Sequence, residues 1–142
     1  MASVSAIRDG LAARLATIPA PLAVHANVPD NITPPAAVVT PGFEGEPVIR
    51  FDSTMARGSD DFLFTVSVYV QYSDDRAAQE ELDAYLEGSG ARSVKQVIEA
   101  EPTLGGVASF AVVREARNYG PQRWGAAEVR YLGVDFGVEV TA

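Results

Sequence analysis

Residues 61–73, DFLFTVSVYVQYS, alternate apolar and polar side chains more strictly than any other part of the chain. Successive side chains of a β-strand point to opposite faces, so a strand over this segment has one apolar and one polar face. The apolar face holds Phe62, Phe64, Val66, Val68, Val70 and Tyr72, and the polar face holds Thr65, Ser67 and Gln71. This pattern predicts a long strand of an antiparallel sheet with one side against a core.

Helical periodicity marks three other segments. Residues 4–18 are predicted to form a helix that Ser3 caps and Pro19 ends, with Val4, Ile7, Leu11, Leu15 and Ile18 on one face. A second helix is predicted over residues 74–88 after the cap Ser73, with the apolar stripe Ala78, Leu82, Tyr85 and Leu86. A third begins near Ser93, where Ser-x-x-Gln predicts a capping box and Val94, Val97 and Ile98 form the apolar face.

Further strands are predicted at residues 22–28, 36–40, 47–51, 107–118 and 127–141. Prolines flank the first three, which predicts edge or interrupted strands because proline cannot donate a ladder hydrogen bond. Residues 52–60 and 119–125 are predicted to be loops. Together the segments predict one α+β domain over residues 1–142, with a mostly antiparallel sheet, an N-terminal helix and two further helices packed on one face.

Charge and composition exclude several classes of function. The chain of 142 residues carries a formal charge of −8, which argues against a free duplex-binding protein. It has no cysteine, which excludes a disulfide framework and fits assembly in a reducing cytoplasm. No apolar run approaches the roughly 18–20 residues of a membrane span. The N-terminal segment is periodic, with charges scattered through it, so we do not expect a signal peptide.

Candidate catalytic groups each have a structural interpretation. His25 is the only histidine and lies in a predicted strand, which predicts neither a zinc site nor a catalytic triad. The pair Asp74-Asp75 suits a helix N-terminus, the pair Asp60-Asp61 flanks a strand, and neither has calcium-loop spacing. Gly88-x-Gly90 follows a helix, unlike a phosphate loop, and Gly105-Gly106 is typical of a turn. We therefore predict no catalytic residue, cofactor site or metal site.

Charged residues are distributed unevenly. Residues 73–101 contain eight acidic and three basic residues, whereas residues 102–142 contain four of each. The acidic segment is either a solvated helix face or one of two complementary surfaces that meet between copies of the chain. Trp124, in the predicted loop, either folds back on its own sheet or anchors a protein interface.

The order of several segments resembles the tail terminator (tail completion) proteins of long-tailed bacteriophages. The resembling segments are ASVSAIRDGLAARLATIP, PDNITPPAAVV, the long strand leading into SDDRAAQEELDAYL, GSGARSVKQVIEAEPTLGGV and YLGVDFGVEVTA. The resemblance implies a virion structural protein that forms a ring, typically a hexamer, on the head-proximal end of the tail tube. Such a ring stops tube polymerisation and contacts the tail tube protein and the head-completion (stopper) protein, while DNA passes through its lumen without specific binding. It implies no membrane, no cofactor and no enzymatic activity.

Candidate interface residues follow from composition and from this resemblance. They are Met55, Arg57, Arg114, Arg117, Arg123 and Trp124. We expect the loop 52–60 to become ordered on assembly, and the arginines to contact neighbouring protomers rather than DNA. The alternatives are another neck or tail-tube subunit, or a small α+β enzyme or ligand-binding domain.

Overall fold

The computed structural model describes residues 3–18, 22–51, 60–72, 76–125 and 128–142. Its elements are α1 (Val4–Leu15), β1 (Ala23–His25), β2 (Ala36–Pro41), β3 (Ile49–Arg50), β4 (Asp61–Gln71), α2 (Arg76–Leu86), α3 (Val94–Glu99), a short 3₁₀ turn (Leu104–Gly106), β5 (Phe110–Trp124) and β6 (Val129–Thr141). The predicted cap Ser73, the pair Asp74-Asp75, Pro19, and residues 52–59 of the predicted loop with Met55 and Arg57 lie outside the described residues.

The strands form one six-stranded sheet in the order β1-β2-β4-β6-β5. β3 pairs with β4 beyond the end of β2, on the same edge of β4. β1 runs parallel to β2, and every other pair is antiparallel. The predicted α+β class with a mostly antiparallel sheet is confirmed.

All three helices contribute to one core on one face of the sheet. The alternation predicted for β4 is confirmed, since Phe64, Val66, Val68 and Val70 are fully buried there. Residues of α1, α2, α3 and β6 join the same core: Ile7, Leu11, Leu15, Leu82, Tyr85, Ile98, Val134 and Val138. Burial of apolar side chains at helical and strand periods explains why these segments form these elements. We call the opposite side of the sheet the free face.

The helix caps agree with the prediction in part. The Ser3 hydroxyl accepts a hydrogen bond from the Ala6 amide at 3.1 Å, as expected of an N-cap. Ser93 caps α3 by accepting from the Gln96 amide at 3.1 Å. The reciprocal half of the predicted capping box differs, because the Gln96 side chain accepts from the Gly90 amide at 2.8 Å instead. That contact closes the α2–α3 connection.

Two expectations for the strands are wrong. Residues 119–124 continue β5 rather than form a loop, and the strand pairs with β6 as far as Trp124 and Val129. Two register shifts interrupt this pairing, one between Val113 and Glu115 and one between Arg117 and Gly120, and the Gly120-Pro121 pair that resembled a turn follows the second shift within the strand. β2 also lies inside the sheet, between β1 and β4, because its flanking prolines precede it or stand at its last position, Pro41.

Candidate subunit interface

The free face is built from aromatic rings lying over glycines of β6. A Cβ atom on Gly133 would lie 2.8 Å from Cδ1 of Tyr69, and one on Gly137 would lie 2.9 Å from Cζ of Phe43. Real Cβ atoms do not approach other atoms so closely, so only glycine lets these rings reach the sheet. No helix packs on this face in the described part of the chain, and the rings supply much of its apolar cover.

A line of polar contacts runs beside Phe43 on the free face. Ser67 Oγ donates to Asp135 Oδ1 at 2.7 Å, and Asn118 Nδ2 donates to Asp135 Oδ2 at 2.9 Å and to Glu44 Oε2 at 3.3 Å. The guanidinium carbon of Arg117 lies 4.7 Å from the centroid of the Phe43 ring. Arg117 thus holds a cation–π contact within its own chain.

Arg114 lines a small cavity on the free face. Its Nε donates to Glu139 Oε2 at 3.0 Å, and Arg50 pairs with Glu46 on the other wall. The cavity, of about 140 Å³, is also lined by Phe43, Leu63, Glu115 and Gly137. Three carboxylates and two guanidinium groups line it, so its charges nearly cancel.

A wider groove opens at the tip of the β5–β6 hairpin. Residues 28–31 form one wall and residues 123–125 the other, around a volume of about 620 Å³. Trp124 meets Tyr69 edge to face at 5.4 Å between ring centroids, and the Tyr131 hydroxyl donates to the Ile32 carbonyl at 3.3 Å. These contacts fix the walls of the groove, which we call the hairpin-tip groove. Val28, on its wall, is 62% exposed.

The acidic α2–α3 segment contacts β5 within the same chain. The Tyr119 hydroxyl donates to Asp83 Oδ1 at 2.7 Å. Burial and this hydrogen bond to a carboxylate raise the pKa of Tyr119 to about 12. Glu99 Oε2 accepts from the Val113 amide at 3.1 Å and pairs with Lys95 at 2.6 Å.

β5 forms an edge of the sheet, and its open side is blunted. The Val113 amide points away from β6, because it donates to Glu99 rather than to the ladder. In the ladder Val113 pairs with Val138, and Pro121 pairs with Leu132. These two partners are an even number of residues apart on β6, so the backbone nitrogen of Pro121 points away from β6, as that of Val113 does. Proline has no N–H to offer there. A capped amide, a proline and two register shifts are devices that stop a sheet from adding further strands.

The structure separates the predicted interface residues into two places. Arg123 and Trp124 both line the hairpin-tip groove, whereas Arg114 and Arg117 lie further along β5. Trp124 folds back on its own sheet while still forming a groove wall. Sequence reasoning did not single out Phe43, Val28 or Phe51, although Phe51 is 74% exposed. The sequence feature that could have identified Phe51 is its place directly before residues 52–60, which have no apolar periodicity.

The candidate catalytic groups fall in structural positions. The Asp61 carboxylate accepts from the Thr141 hydroxyl at 2.8 Å, and the Asp60 backbone pairs with Ala142. His25 lies in the edge strand β1, and its Nε2 is buried without a hydrogen-bond partner among the described groups. No group of three metal-ligating side chains comes together in the described ranges. None of the helices found there is both long and apolar enough to cross a membrane.

No protein-family model matches the sequence, and no curated protein is detectably similar to it.

Proposed function

We propose that this chain is a tail terminator: a virion structural protein that closes the head-proximal end of a phage tail tube as a ring. In this proposal it binds the last ring of tail tube protein on one side and the stopper protein on the other. The chain assembles in the host cytoplasm and acts without a cofactor. The order of its sequence segments, described above, is the basis for choosing this family.

The blunted edge of β5 is the observation that carries the proposal. A subunit that ends a polymer needs contact surfaces but must not itself extend by adding strands. β5 is 15 residues long and would be a template for strand addition if its edge were open. Glu99, Pro121 and the two register shifts oppose that addition, while exposed side chains at both ends of the sheet can contact neighbours.

Size-exclusion chromatography with light scattering, followed by electron microscopy, tests the proposal on the purified chain. The expected result is a closed ring that does not lengthen as the concentration rises. Filaments would instead favour a tube subunit, and a monomer at all concentrations would favour a ligand-binding domain. Adding the rings to growing tail tubes should shorten the tubes in proportion to the number of rings added.

Charge reversal of the arginines of β5 tests whether the ring binds the DNA that passes through it. A lumen through which DNA slides should lack strong phosphate contacts, because each contact raises affinity by counterion release. We expect reversal of Arg117 and Arg123 to Glu to weaken ring formation, with DNA retention negligible before and after. Normal rings with a changed retention of DNA would show that these arginines line the lumen.

A further inference from the structure

The two ends of the sheet present different surfaces. At the end where β4 begins, Phe51 is 74% exposed and follows Arg50, the last residue of β3. At the opposite end lies the hairpin-tip groove, with apolar walls from Val28, Pro29 and Trp124 and with Asp30 and Arg123 at its sides. One end therefore offers a projecting aromatic ring, and the other offers a concave surface.

Phe51 is too far from the groove of its own chain to enter it. Arg50 pairs with Asp61 at one end of β4, while Tyr131, beside the groove, pairs with Gln71 at the other end. Ten residue steps along a strand span roughly 33 Å. Only the Phe51 of a second copy can enter the groove.

The chemistry of the groove matches a phenylalanine flanked by arginine. Trp124, held by Tyr69, can pack against an incoming ring edge to face. Arg123 can lie over the same ring, as Arg117 lies over Phe43 at 4.7 Å and Arg130 over Tyr72 at 4.5 Å within this chain. Asp30 supplies the charge opposite to that of Arg50.

We propose that Phe51 of one copy inserts into the hairpin-tip groove of the next, with Arg50 pairing with Asp30 across the contact. The contact joins two different patches, so it is heterologous and closes into a ring when the rotation between copies permits. This inference rests on the proposed function and identifies the surfaces that build its ring.

The intrachain ion pairs of the two arginines do not prevent this exchange. In the Arg50–Glu46 pair the side chains are 51% and 42% exposed, and in Arg123–Glu128 they are 64% and 68% exposed. Exposed pairs contribute little to stability, so either arginine can change partner on assembly.

Replacing Phe51 by Ala is the first test, with Phe110→Ala as the matched control. Phe110 is also strongly exposed, at 54%, but belongs to β5 at the edge of the sheet. We expect Phe51→Ala to raise the concentration at which rings form about tenfold or more, as for an aromatic residue at the centre of an interface. Phe110→Ala should leave that concentration unchanged, and circular dichroism should show both variants folded.

Charge reversal tests the Asp30–Arg50 pairing in trans. Asp30→Arg alone and Arg50→Glu alone each place like charges across the contact, so each variant should assemble poorly. Mixing the two variants should restore assembly, because in an alternating ring every contact again joins opposite charges. An intrachain effect of either substitution would not be repaired by mixing.

Three outcomes separate this inference from the proposed function. Rings that form normally in Phe51→Ala and in both charge variants would overturn the inference and leave the terminator proposal standing. Filaments that are lost in those variants would support the contact and overturn the terminator. A wild-type chain that stays monomeric up to millimolar concentration would overturn both.

Discussion

The helix-covered face and the free face use alternate residues of the same strands but are built differently. On β4, Phe64, Val66 and Val68 are fully buried under the helices. Of the two residues between them, Thr65 is only partly buried, and Ser67 is buried on the free face, where its hydroxyl donates to Asp135. The covered face therefore holds most of the core, whereas the free face and the ends of the sheet leave more side chains exposed.

A pair of truncations on adjacent residues of β4 tests this contrast most strongly. Phe64 has no exposed surface, and its replacement by Ala should lower the free energy of unfolding by about 3–5 kcal/mol because a core cavity forms. Leu63 is partly exposed on the free face, so Leu63→Ala should cost at most about 2 kcal/mol. Denaturant unfolding measures both, and equal losses would show that the two faces contribute alike.

Adding a methyl group at Gly137 tests the packing of the free face. The new Cβ would lie 2.9 Å from Phe43, so Gly137→Ala should cost about 1–3 kcal/mol by forcing the ring away. Combining it with Phe43→Ala should cost less than the sum of the two single changes. Gly88 is the control, because a Cβ atom there would meet no atom of another part of the chain within 4 Å, and Gly88→Ala should change stability little. Strict additivity would argue against the contact.

The hydroxyl of Tyr85 is an exception on the covered face. Tyr85 is fully buried, and none of the described groups pairs with its hydroxyl. An unpaired buried hydroxyl costs about 1–3 kcal/mol, so Tyr85→Phe should leave stability unchanged or raise it by about 1 kcal/mol. Thermal and denaturant unfolding measure this, and a clear loss of stability would reveal a partner for the hydroxyl.

The smallest expected effect is the pH dependence of stability through Tyr119, where the acidic α2–α3 segment contacts β5. The pKa of Tyr119 is raised from 10.0 to about 12, so its neutral form is favoured in the folded state. Because desolvation and the hydrogen bond to Asp83 both disfavour the ionised form, the folded state keeps its stability below pH 10 and loses part of it as pH rises towards 12. Absorbance titration should show the pKa of Tyr119 falling in Asp83→Ala, and Tyr119→Phe should remove that step from the titration. An unshifted step would place the cause elsewhere.

Local periodicity was enough to predict the main elements. The stripe Ile7, Leu11 and Leu15 and the alternation through β4 and β6 are each set by neighbours along the chain, so they were readable from the sequence. The helical cover on one face followed from the same patterns. These features depend on residues a few positions apart.

The free face and the groove depend on contacts that no local pattern encodes. Phe43 over Gly137 and Trp124 against Tyr69 join residues far apart in sequence, so composition could suggest Arg123 and Trp124 but not the groove they line. The end of β5 was missed because glycine, proline and bulge residues are typical of turns. On an edge strand, Pro121 occupies a position where no amide is required.

The position of β6 has a consequence for how the chain is made. β6 is the last strand in chain order, yet it lies between β4 and β5 and pairs with both along most of its length. Until β6 has been synthesised, β4 and β5 have no neighbour on their inner edges, and the long-range strand pairs that fold slowly cannot form. A chain that lacks β6 therefore cannot complete the sheet, because β4 and β5 would have no strand between them.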